Sequence, residues 1–148
     1  MPPNARTWWL LSAALPPGLD VERLRRQART FFDVELSITP SDQRADGGWE
    51  ARVEGARVAI ETARVEEAGE VLRLAHEAVR AVGGAGFDVL VAKARRVYSV
   101  SAVHEADRRA PLLVCAVMAS VLLSPIVPPE GGTIFGVRGA RERLSRET

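Results

Sequence analysis

Few side chains in this chain of 148 residues can do chemistry, and His104-Glu105-Ala-Asp107 holds the densest group of them. An imidazole beside two carboxylates could supply a general base or part of a metal site. A transition-metal site needs three or four ligands at fixed spacing, which this short stretch does not provide by itself. Asp107 has a simpler role open to it, as the cap of a following helix. His76, the other histidine, lies on the polar side of a helical segment with no cysteine or carboxylate at ligand spacing. Ser99 and Ser101 alternate on a strand-like run, without the G-x-S-x-G turn that exposes a nucleophilic serine. Gly131-Gly132-Thr-Ile-Phe-Gly136-Val-Arg-Gly139 is rich in glycine, but it lacks the Gly-Lys-Ser/Thr ending of a phosphate loop. The single cysteine, Cys115, sits in an apolar run, where a thiol behaves as a small hydrophobe. These residues assign no catalytic set, metal or cofactor.

Groups suited to recognition are better represented. Arg23, Arg25, Arg26 and Arg29 share the polar side of one amphipathic segment, a face that is either simply solvated or made to meet an acidic partner protein. Isolated arginines without interleaved aromatics make a poor nucleic-acid platform. Trp8 and Trp9 are adjacent on a strand-like run, so they point to opposite faces. One of them therefore needs cover from a helix, a ligand or a partner.

Composition narrows the function classes further. The net charge of +1 gives no general attraction to nucleic acid. Nineteen of the twenty basic residues are arginine, a usage too uniform to mark a site. One cysteine cannot form an intrachain disulfide, which is compatible with a reducing, cytoplasmic setting. The apolar run after Arg6 is short, and its paired tryptophans and following Pro16-Pro17-Gly18 suit a first strand better than a cleaved signal.

Residues 110–129 contain no charge, although 26% of the chain is charged. From Pro111 to Ser124 the run reads as a helix apolar on every side, which must be hidden in a core or in lipid. Fourteen residues span about 21 Å of helix, short of the roughly 30 Å of a bilayer core. Extension across 111–127 must pass through Pro125. Arginines flank the run on both sides, so there is no orientation signal. We expect a buried core helix, with membrane association through 111–127 as the alternative.

The surrounding elements follow from periodicity. Trp8–Leu15 reads as a strand. Asp20–Phe32 reads as a helix with Asp20 as its N-cap and a Leu19/Leu24 staple. Val34–Thr39 alternates as a strand, 40–48 is loop, and 49–54 with 57–62 forms a hairpin turning at Gly55. Glu66–Val82 is the second amphipathic helix and is closed by the glycines at 83–86. Phe87–Ala92 and Val97–Val103 read as strands. Val127–Gly132 is then a loop, Thr133–Val137 a short strand, and 137–148 a polar, partly frayed tail. The whole is expected to be one α+β domain over 1–148. Its nearest template is a ferredoxin-like β-α-β-β-α-β sandwich core with an additional buried apolar C-terminal helix.

The expected function is that of a non-catalytic protein-binding module: an adaptor, an assembly component, or an inhibitor of the immunity type. It uses Arg23, Arg25, Arg26, Arg29, Trp8 and Trp9, and its partner is another, acidic protein. A small-molecule-binding regulatory domain and an enzyme using His104 with Glu105 or Asp107 are the competing readings.

Overall fold

The computed structural model describes residues 7–14, 19–41, 48–83 and 86–146. Among these residues six antiparallel strands form one sheet: β1 (Trp8–Ser12), β2 (Leu36–Pro40), β3 (Trp49–Val53), β4 (Ala56–Arg64), β5 (Arg96–Ala102) and β6 (Ile126–Val127). Their spatial order is β2-β3-β4-β5-β1-β6. Among the described residues five helices accompany them: α1 (Val21–Phe32), α2 (Gly69–Val82), α3 (Phe87–Ala92), α4 (Arg109–Leu122) and α5 (Val137–Arg146). The mixed α+β class is as the periodicity predicts. The ferredoxin-like plan is not what this order shows. Three strands, rather than two, separate α1 from α2, and β1 lies between β5 and β6.

Alternation along β1 explains why helices cover both sides. Leu10 points into a core shared with α1, α4 and α5, while Trp9 and Leu11 point into a second core with α2 and α3. Strands β2, β3 and β4 are apolar on the first side only. Ser37, Thr39 and Arg52 on their other side are exposed, as in an antiparallel sheet with one wet face.

The all-apolar segment is α4. Residues from Ala110 to Ala119 are buried without interruption, packed against the sheet, α1 and α5. No helix among the described residues is long and apolar enough to cross a membrane. The cover is structural: α1 and α5 pack along α4 and the sheet lies beneath it, so every side of the helix meets protein.

Local signals hold where a cap or turn enforces them. The Asp20 carboxylate accepts from the Arg23 N–H at 3.1 Å. The β3–β4 turn uses Glu54 (φ 50°) and Gly55 (φ 80°), the pair of positive φ angles that a tight hairpin requires. The second amphipathic segment divides into a 3-10 turn, Val65–Glu67, and α2, with Ala68 between them.

Three predicted elements differ. Phe87–Ala92 is helix α3 rather than a strand. A six-residue apolar run has no decisive periodicity, and both edges of β5 are already occupied by β4 and β1. The predicted strand 133–137 reduces to one bridge, Phe135 with Ile126, and β6 takes Ile126 together with Val127, the first residue of the expected loop. The expected tail is α5, anchored by buried Ala140 and Leu144 and by Arg109, which donates to the Leu144 carbonyl at 2.8 Å. Ala140 and Leu144, four apart, form one apolar stripe, and half-buried Val137 packs beside them. The predictions for 15–18, 42–47, 84–85 and 147–148 fall outside the described residues.

Candidate functional site: the arginine-lined trough beside β2

Each chemical candidate has a definite place. His76 and His104 are exposed, as are Glu105 and Ala106, and Asp107 is half-buried. His104 and Asp107 meet only through a backbone turn, in which the Asp107 N–H donates to the His104 carbonyl at 3.1 Å. Asp107 does not cap α4, whose N-terminus has no side-chain cap. No three His, Cys, Asp or Glu side chains gather at metal-binding distance among the described residues. Ser99 and Ser101 are half-buried on the wetter side of β5, beyond the cover of α2 and α3. Gly131 and Gly132 take positive φ (67° and 75°) and lead the chain to buried Ile134, which is a structural turn.

Cys115 is fully buried in α4, and desolvation pushes its thiol well above the ordinary range. A thiolate is the reactive form, so this sulfur is inert in the folded chain. A disulfide reagent such as dithionitrobenzoate should label it no faster than the protein unfolds. Fast labelling in native buffer would contradict the burial.

The two tryptophans separate as alternation requires. Trp9 is 3% exposed in the core beneath α2 and α3, so it offers no contact surface. Trp8 is half-buried against the α4 side, with its ring edge-on to Phe135 at 6.3 Å. Cover for both comes from within the chain.

The arginines lie on open ground. Arg23, Arg25, Arg26 and Arg29 are all exposed, because Leu24 and Ala28 turn the other face of α1 into the core. Beside α1 runs β2, the outermost strand of the sheet. Between them lies a solvent-open trough of about 730 Å³, bounded by Val21, Arg25, Asp33–Ile38 and Arg52–Gly55, so that its two arginines stand among three carboxylates. A smaller hollow of about 100 Å³ continues it along Arg25, Arg26, Arg29 and Glu35.

Two local ion pairs cross this region: Arg25 with Glu22 at 2.9 Å and Arg29 with Glu35 at 3.0 Å. All four side chains are more than half exposed, so neither pair is held tightly. Arg26 lines the hollow with no carboxylate paired to it among the described residues. The trough can therefore bind charge by exchange of weak pairs. It holds neither a nucleophile with a base nor a buried acid.

Sequence reasoning found the arginines and the strand beside them but missed that this strand is the edge of the sheet. Pro40 was the available signal, since a proline at a strand end belongs on an edge. The side of the sheet from which Arg52 and Glu54 reach the trough depends on strand order, which no local pattern encodes.

No protein-family model, curated protein or solved structure matches this chain.

Proposed function

We propose that the chain is a non-catalytic protein-binding module, an adaptor, assembly component or inhibitor, that meets an acidic partner along α1 and the trough beside it. One observation carries this reading. Four arginines stand exposed on one helix beside an open trough, and Arg26 lines the small hollow that continues it, with no carboxylate paired to it among the described residues. Arginine suits the role because its planar fork binds carboxylates through two hydrogen bonds. A small-ligand site, by contrast, usually encloses most of its ligand, and this trough is open to solvent.

The test is charge reversal. Arg25→Glu with Arg29→Glu should leave the circular dichroism spectrum unchanged, because both side chains are exposed. It should also remove a specific partner from affinity purification. The same partner should elute with moderate salt from the unaltered chain. Retention of every partner by the double variant would overturn the reading.

A further inference from the structure

The proposed surface contains a second recognition device in the backbone of β2. The Ser41 N–H donates to the Gly48 carbonyl at 2.9 Å, which fixes the phase of the β2–β3 ladder. Hydrogen-bonded and non-hydrogen-bonded pairs alternate in an antiparallel ladder. Thr39 opposite Glu50 and Ser37 opposite Arg52 are then the bonded pairs. The N–H and C=O groups of Leu36 and Ile38 therefore point away from β3, as does the Pro40 carbonyl. No backbone hydrogen bond outside the sheet uses these groups among the described residues. The same strand forms one wall of the trough.

We propose that the outer edge of β2 is a docking site for an extended, acidic segment of another protein, which adds to the sheet as a seventh strand. This rests on the protein-binding reading above and specifies its mode. Strand addition derives affinity from main-chain hydrogen bonds and specificity from alternate side chains. Leu36 and Ile38 supply two donors and two acceptors. Pro40 has no N–H, so it limits the paired length at that end. Every second side chain of the incoming strand lies on the α1 side, where Arg25, Arg26 and Arg29 line the hollow. A carboxylate at these alternate positions satisfies Arg26 and exchanges with the weak local pairs of the other two.

The same arginines argue against a second copy of this chain. Two-fold pairing of β2 with β2 would set two arginine-lined α1 faces side by side, and like charges at an edge oppose self-association.

The experiment pans phage-displayed random twelve-residue peptides on the full chain and repeats the panning on an Arg25→Glu, Arg26→Glu variant. Peptides with acidic residues at alternate positions should be enriched on the first protein and not on the second. Synthetic versions of an enriched peptide are then N-methylated at alternate backbone positions. One phase should weaken binding about tenfold or more, as loss of a main-chain hydrogen bond implies, and the other should leave it nearly unchanged. Bound peptide should slow amide exchange at Leu36 and Ile38. Acidic, arginine-dependent peptides that tolerate both methylation phases and leave those amides unprotected would overturn strand addition while leaving the protein-binding reading intact. Enrichment without acidic residues, or none at all, would overturn both. Concentration-dependent protection of Leu36 and Ile38 without peptide would assign the edge to self-pairing and overturn the proposal.

Discussion

Leu113→Ala is expected to lower the free energy of unfolding by about 3–5 kcal/mol, the range for a leucine truncated in a core that relaxes only partly. Leu113 is 2% exposed and belongs to the cluster that joins α4 to the sheet. A domain of this size has about 5–15 kcal/mol of stability in all, so the loss is a large share of it. The natural control lies ten residues further along. Leu123, at the C-cap of the same helix, is 77% exposed and holds a left-handed φ of 54°. Leu123→Ala should be close to neutral, and Leu123→Gly neutral or mildly stabilising, because glycine takes that conformation without the steric penalty. Urea unfolding followed by tryptophan fluorescence reads all three. A loss below about 1 kcal/mol at Leu113 would contradict its placement.

Gly139→Ala sets two effects of opposite sign against each other. An alanine inside a helix normally gains about 1 kcal/mol over glycine. Here the added methyl would stand 2.6 Å from Phe135 Cβ and 3.1 Å from Phe135 Cγ. Because the nearest atom is the one attached to the backbone, turning the ring cannot relieve the overlap. Phe135 is also fixed on its other contacts: Trp8 lies edge-on to it, and the Arg143 guanidinium sits 4.5 Å above its ring. Overpacking of this kind costs about 1–3 kcal/mol, so the clash should outweigh the helix gain. The expected result is a net loss of stability accompanied by a change in Trp8 emission. A rise in melting temperature would show that α5 yields at little cost.

How much of this was legible beforehand depended on whether a local rule enforced it. Asp20 as a cap, the Glu54-Gly55 turn and the alternation of β3 with β4 are decided within a few residues, and each is found where periodicity puts it. The burial of α4 was readable from its missing polar face. Phe87–Ala92 was not readable, because the same six residues suit a buried strand or a short helix. The choice was made by β4 and β1, which occupy the edges it would have needed. α5 was missed for a related reason. Its few apolar residues look insufficient until Arg141, donating to the Phe31 carbonyl over the Phe32 ring at 4.4 Å, is seen to hold it against α1. At the candidate site the arginines could be named from helical periodicity. The trough could not, since it exists only because β2 closes the sheet on that side.

The pairing of β1 has a consequence for synthesis of the chain. Among the described residues, the strand partners of Trp8–Ser12 are 96–100 on one side and 126–127 on the other. A nascent polypeptide must therefore carry Trp8, Trp9, Leu10 and Leu11 without strand partners until residues 96–100 have been translated. Long-range pairing of this kind slows folding and leaves sticky surface open to aggregation meanwhile. Stalled fragments ending before residue 96 should accordingly be favoured clients for holding chaperones, whereas the finished chain buries the same motif between its last two strands.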